Sequence, residues 1–212
     1  MNNTFKSKFS AYIKWIGGSM LAFILVYGCC NYLASTSLHR YQIYHPWELS
    51  IPFVPWMVIP YRSLDIILII VLFLLSEARI KKYGFHMMLS LIPAGLIFIL
   101  FPGDCGYIRP NPETLGHFKS VFSVLYTLDK PHNLFPSLHV TYSYLGIRAL
   151  TEEHTSLYLR AFFWTCFWFI AASIIFTWQH HLFDLFSGLL LGFMIYRIDI
   201  EDLEKIVGKI KA

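Results

Sequence analysis

Charge is the first thing this sequence lacks. Only 14% of its 212 residues are Asp, Glu, Lys or Arg, against about one quarter in an average soluble domain. So sparse a charge excludes an ordinary water-soluble enzyme, and a net charge of +4 leaves no concentrated basic arm for nucleic acid. Cysteine is scarce as well. Cys29, Cys30, Cys105 and Cys166 show neither C-x-x-C nor any other metal-ligand spacing, which excludes a disulfide scaffold and a zinc ribbon. Three of them lie in apolar runs, where a thiol behaves as a small hydrophobe. Internal repeats and low-complexity stretches are missing too. What the chain has instead is 56% hydrophobic and 18% aromatic residues, with a mean hydropathy of +0.53. That is too apolar for disorder. It predicts an all-α polytopic membrane protein, a single domain over residues 1–212.

About 20 helical residues cross the roughly 30 Å hydrocarbon core of a bilayer. Six apolar stretches reach or approach that length: 15–33, 56–75, 85–101, 134–150, 157–178 and 182–198. They predict a bundle of six transmembrane helices. The first follows Lys6, Lys8 and Lys14 as a signal peptide would, but its 19 residues exceed an h-region and no A-x-A-like site follows, so an uncleaved span is expected. The second contains Arg62 and Asp65, three apart and able to share one helix face near an interface. With the N-terminus inside, the inner segments hold 12 Lys and Arg and the outer segments 5. The positive-inside rule then predicts cytoplasmic N- and C-termini. Size and simplicity point to a bacterial plasma membrane.

The third and fourth spans are joined outside by residues 102–133, a connection of 32 residues. Loops beyond about 15 residues are uncommon and tend to be functional. A short helix is expected around 115–128. Ahead of the second span, residues 45–56 combine helix-stopping prolines with aromatics suited to the headgroup layer. The tail, 199–212, mixes Asp, Glu and Lys with Leu203, Ile206, Val207 and Ile210, the pattern of a short amphipathic helix on the inner surface.

Two short stretches carry chemistry. Asn133-Leu-Phe-Pro-Ser-Leu-His139 opens the fourth span, and Gln179-His-His-Leu-Phe-Asp184 opens the sixth. The 41 residues from His139 to His180 are about twice a spanning length, so one helical hairpin returns His180 to the leaflet of His139. His180 and Asp184, four apart, stack on one helix face. A carboxylate there accepts the Nδ1–H of the imidazole and leaves Nε2 with a lone pair, as a nucleophile or base requires. The bland alternative is a His–Asp pair tying helices together. Pro136 and Ser137 start a helix whose free N–H groups favour an anion, and Ser137 adds a hydroxyl. His139 is placed to protonate a departing oxygen. Arg109, in the outer loop, presents a planar fork matched to phosphate. Together these residues suit phosphoryl transfer through a phosphohistidine. His181 points to a different face and is expected at the interface; His117, His132 and His154 are expected in solvated loops. Ser187, Gly188 and Gly192 read as small packing residues between helices.

Arg109-Pro110, Phe135-Pro-Ser-Leu-His139 and His180-x-x-x-Asp184 resemble the three signature motifs of the type 2 phosphatidic acid phosphatase superfamily. The resemblance covers roughly residues 101–192 and agrees with that family's six spans. It implies that His180 attacks phosphorus, Asp184 orients it and His139 protonates the leaving group. Arg109 and the Ser137-Leu138 turn bind phosphate, with no metal or other cofactor. Three positions depart from the usual pattern: Pro102 stands where the first motif has lysine, Leu138 replaces the glycine of the second, and Ile174 follows Ser173 where the third has arginine. These departures look more like the inositolphosphotransferase-like branch, so hydrolysis and transfer to an acceptor alcohol both stand open. The implied partners are a lipid phosphate substrate and the surrounding membrane lipids, without nucleic acid. Two other arrangements compete: His139, His180 and Asp184 as metal ligands, or a transporter with a His–Asp relay and no catalysis.

Overall fold

The computed structural model describes residues 3–199, so the tail expected to form an amphipathic helix lies almost wholly outside the described residues. The chain opens with one long helical rod. Helix α1 (Asn3–Tyr12), a π-helical turn over Ile13–Gly17 and α2 (Gly18–Thr36) follow one another without leaving helical backbone. Two 3₁₀ turns, Pro46–Ser50 and Pro55–Met57, come next. Each has proline in its first turn, where the missing N–H leaves no bond unmade. Then come α3 (Val58–Leu74), α4 (Glu77–Leu100), α5 (Lys119–Leu128), α6 (Leu138–Glu153), α7 (Leu157–Phe176) and α8 (Leu182–Tyr196). Residues 102–133 contain the short helix expected of them, α5, preceded by two 3₁₀ turns.

Among the described residues, four helical stretches are long and apolar enough to cross a membrane: Asn3–Thr36, Pro55–Leu74, Glu77–Leu100 and Leu157–Phe176. The sequence predicts six. The other two, α6 and α8, have 16 and 15 residues, about 24 and 22 Å at the helical rise. Both fall short of the roughly 30 Å hydrocarbon core. The difference at α6 has a local cause. The apolar run starting at Leu134 includes Pro136, which lacks an N–H, and Ser137, whose extended backbone (φ −66°, ψ 107°) caps the helix so that it begins only at Leu138.

Helix α6 is the axis of the fold, buried on every side among α3, α4, α7 and α8. Large apolar side chains instead face outward from the surrounding helices, among them Leu21, Ile24, Ile66, Ile92, Trp168 and Phe186. An apolar exterior around a packed interior is compatible with a membrane protein and would be a liability in water.

The bundle has two distinct ends. At one, Arg79 bridges Glu152 and Glu153, Lys82 bridges Asp199 and the Ser7 hydroxyl donates to Glu77. At the other, the connection 102–133 is tied to the segment after α2. Tyr41 N–H donates to the Pro102 carbonyl, and a two-residue parallel ladder, β1 (Tyr41–Gln42) with β2 (Gly103–Asp104), continues the join. The candidate residues gather at this second end.

Candidate active site

The starts of α6 and α8 cross in near backbone contact. A Cβ placed on Gly188 would lie 2.5 Å from the Ser137 carbonyl oxygen, so glycine is what permits the approach. The contact is also polar: Ser137 N–H donates to the Asp184 carbonyl (3.1 Å) and Thr141 Oγ1 donates to the Gly188 carbonyl (2.8 Å). Gly192 meets the Tyr144 ring in the same way. Gly188 and Gly192 are thus the packing residues that the sequence predicts. The Ser137 N–H is engaged in this contact, and the Ser137 hydroxyl accepts from Val140 N–H at 3.5 Å as a helix cap. Of the N–H groups at this helix start, those of Ser137 and Val140 are therefore engaged within the protein.

A tight turn sets His180 at the head of α8. Gln179 and His180 N–H both donate to the Ile174 carbonyl at 3.0 Å. Trp178 takes a left-handed backbone (φ 55°), which costs a non-glycine residue roughly 1–2 kcal/mol. Its indole N–H is held by the Ile51 carbonyl at 2.9 Å. One turn on, Asp184 Oδ2 lies 3.3 Å from His180 Nδ1 and accepts His181 N–H at 2.8 Å. Asp184 is 1% exposed and His180 5%, so water competes little for the pair. The carboxylate also sits in the first turn of α8, where the helix dipole favours it. With Nδ1–H directed at Asp184, the lone pair of His180 is on Nε2.

His181 departs from expectation: it is buried, 1% exposed, not interfacial. Its ring is sandwiched between Tyr44 and Tyr107, with centroids 4.3 and 4.5 Å away, and its Nε2 lies 2.6 Å from the Cys105 carbonyl. Beside it stands Glu48, a buried carboxylate. Glu48 Oε2 accepts Leu182 N–H (2.9 Å) at the start of α8, and Oε1 accepts His45 N–H (2.8 Å). His181 Nδ1 is 3.4 Å from Glu48 Oε2 without hydrogen-bond geometry. The proline- and aromatic-rich segment 45–56, read only as interfacial, thus delivers a helix-capping acid. No sequence spacing links residue 48 to residue 182, so only the fold reveals it. His132 and His154 are half-buried, not freely solvated. Burial lowers the His132 pKa below the usual imidazole value.

His139 and His180 both line one cavity of about 220 Å³. His139 Nε2 is 2.8 Å from the Tyr61 carbonyl, and its ring stacks on Tyr61 at 4.1 Å. A carbonyl only accepts, so Nε2 carries the hydrogen and Nδ1 the lone pair. Leu138, Asp129, Asn133 and the Arg62–Asp65 pair share the wall. Arg62 Nη2 and Asp65 Oδ2 are 2.7 Å apart, one helix face as the spacing predicts.

Arg109 stands behind this wall instead of on it. Its Nη1 donates to the Asp129 carbonyl (2.6 Å), Nη2 donates to Gln179 Oε1 (2.9 Å), and the guanidinium lies 4.8 Å over the Tyr126 ring. Its Nε is buried without a partner among the described residues. The Asp129 carboxylate accepts from the Tyr27 hydroxyl at 2.6 Å and the Asn31 amide at 3.4 Å. Burial raises the Asp129 pKa above the usual carboxyl value, opposed by the Tyr27 bond and by the nearby His180 and Arg109 charges. Asp129, Tyr27 and Tyr61 went unread in the sequence because each comes from a different element and none carries a short motif, and Arg62 is read there only as the partner of Asp65 near an interface. Comparison of the chain with protein-family models, with curated proteins and with solved structures returned no match.

Proposed function

We propose that this protein is a membrane enzyme that cleaves or transfers the phosphate-bearing headgroup of a lipid through a phosphohistidine on His180. One observation carries the reading: His139 and His180 line a single cavity, and His180 is backed by the buried carboxylate of Asp184. His180 Nε2 attacks phosphorus in line, forming the P–N bond as the P–O bond to the leaving group breaks. Protonated His139 gives its proton to the departing oxygen from Nδ1, since Nε2–H is held by Tyr61. Water or an acceptor alcohol then attacks phosphorus, passes its proton to His139 Nδ1 and breaks the P–N bond. Arg109 adds positive charge from behind Asp129. The likeness to type 2 phosphatidic acid phosphatases supports the same roles.

In this reading α6 and α8 complete a six-span bundle. Both are short because their outer ends stop at the reaction site, which leaves a recess reachable from the bilayer. The 12-to-5 bias of basic residues orients the opposite end, with both termini, to the cytoplasm and the cavity to the exterior, in a bacterial plasma membrane. Among the described residues, no three His, Cys, Asp or Glu side chains are grouped to hold an ion.

The charge of the cavity wall favours headgroup transfer. Arg62 shares that wall with two carboxylates, Asp65 and Asp129. With Arg62 and a protonated His139 set against Asp65 and Asp129 the wall has no surplus positive charge, so a phosphodiester, which brings a single negative charge, is accepted more readily than a dianionic phosphate monoester. The deciding experiment incubates the purified protein with vesicles of phosphatidic acid or phosphatidylglycerol, with and without a diacylglycerol acceptor, and measures free phosphate and transferred headgroup. Turnover that survives chelator and stops with vanadate is expected. Lipid movement across the vesicle without phosphoester cleavage overturns the enzyme reading.

A further inference from the structure

The cation expected to grip phosphate, Arg109, has two of its three nitrogens on protein acceptors and is not on the cavity wall. The positions where related motifs place further cations hold Pro102 and Ile174. An anion entering beside His139 and His180 still needs a positive partner, because the wall carries Asp65 and Asp129. Arg62 is the Lys or Arg among the wall residues. Its side chain is 52% exposed, so its guanidinium is not locked into the protein interior, and its ion-pair partner, Asp65, is 47% exposed. A guanidinium has five donors, and one carboxylate oxygen at 2.7 Å leaves most of them unused.

We propose that Arg62 is the substrate-phosphate ligand of this cavity, held ready by Asp65, while Arg109 braces the loop behind it. The proposal rests on the phosphohistidine reading and names a recognition residue within it. Asp65 acts as a placeholder: it keeps the fork turned toward the wall when no anion is present and competes with phosphate for it. A bidentate Arg–phosphate contact follows from the planar fork, which lysine cannot reproduce. Helix α3, the element that carries Arg62, also presents the Tyr61 carbonyl to His139. The binding group, Arg62, and the residue that anchors the acid, Tyr61, are thereby successive residues of one helix.

The test uses the full chain in detergent and two readouts. The first is steady-state kinetics on dioctanoyl phosphatidylglycerol and dioctanoyl phosphatidic acid. Arg62→Gln should raise KM about tenfold or more with kcat little changed, Arg62→Lys should fall between, and Asp65→Asn should lower KM. The second is protection against thermal unfolding by inorganic phosphate, which requires no turnover. Wild type should be protected, Asp65→Asn protected at lower phosphate, and Arg62→Gln not protected. Loss of phosphate protection with an unchanged lipid KM marks Arg62 as a site for free anion only and overturns the proposal. So does an Arg62→Gln protein with both readouts unchanged, or one with raised KM and undiminished phosphate protection. Wild type that binds phosphate through Arg62 yet cleaves no lipid sinks the enzymatic reading and leaves the binding assignment standing. Wild type that does neither sinks both.

Discussion

At the scale of single residues, the imidazole of His180 and the carboxylate of Asp184 differ in what their loss removes. His180→Gln takes away the attacking nitrogen, so turnover should vanish while the thermal unfolding midpoint holds within a few degrees, a pair of measurements made on one preparation. Asp184→Asn keeps a polar side chain at the helix start but loses the charge that supports a cationic imidazole. A fall in kcat on the order of 10²-fold or more is expected, with KM little moved. Equal kcat in the two proteins would remove Asp184 from the mechanism. Cys105 supplies a pH prediction. Burial pushes its thiol up to about 12 from 9.0, so the thiolate at pH 8 is about 10⁻⁴ of the total and maleimide should leave it unlabelled until the protein is denatured. Below about pH 9 folded and unfolded chains both hold this proton. Between about 9 and 12 only the unfolded chain releases it, so stability should fall as pH rises through that window. An unfolding midpoint flat across it, set against Cys105→Ser, would contradict the burial.

Among the elements, the crossing of α6 and α8 is where position becomes chemistry. His139 rides on the first turn of one helix, and His180 precedes the other by two residues. Their separation is therefore set by how closely the two helices approach. Gly188 sets that approach. Gly188→Ala drives a Cβ to 2.5 Å from the Ser137 carbonyl, which should cost roughly 1–3 kcal/mol of stability and a larger share of activity, because the histidines separate. Gly28 in α2 has open space around it, with nothing within 4 Å of where a Cβ would stand, and is the matched control. Gly28→Ala should be neutral or stabilise by up to about 1 kcal/mol. Equal unfolding midpoints for the two variants would mean that the crossing tolerates a methyl group. The lengths of α6 and α8 belong at this scale as well. An apolar run in the sequence marks where a chain prefers to be buried, whereas a helix ends where its backbone donors find other partners. Pro136 and Ser137 delay the start of α6 to Leu138, four residues into its apolar run.

On the scale of the whole molecule, the end that bears the candidate site is held by a carboxylate far from both motifs in sequence. Glu48 joins residues 45, 182 and, by proximity, 181. The stacked rings of Tyr44, His181, Tyr107 and Trp178 continue that junction toward the outer loop. Glu48→Ala leaves two N–H groups without an acceptor, at about 1–3 kcal/mol each when buried, and should lower the unfolding midpoint by several degrees while loosening His180. Glu48→Gln retains one carbonyl acceptor and should lose about half as much. Differential scanning of the detergent-solubilised protein separates the two, and a midpoint unchanged in Glu48→Ala would refute the brace.

Several things were decided by the sequence alone. Scarce charge and long apolar runs dictate helices with apolar exteriors, because backbone polar groups in hydrocarbon must be satisfied within the segment. The i,i+3 spacing of Arg62 and Asp65 places them on one face of α3, whereas His180 stands two residues ahead of α8 instead of on its face, and the first turn of that helix returns the Asp184 carboxylate to the imidazole. Helical geometry is local, so such pairs are legible from spacing. Tertiary structure decided the rest. It put Arg109 behind the cavity and Arg62 on its wall, buried His181 between two tyrosines, and brought Glu48 to the start of α8. Those outcomes depend on contacts between residues tens of positions apart, for which the chain carries no period and no motif. They are fixed only when α6 is surrounded and the connection 102–133 closes over the bundle, since burial then forces each polar group to find whichever partner the packing has brought near.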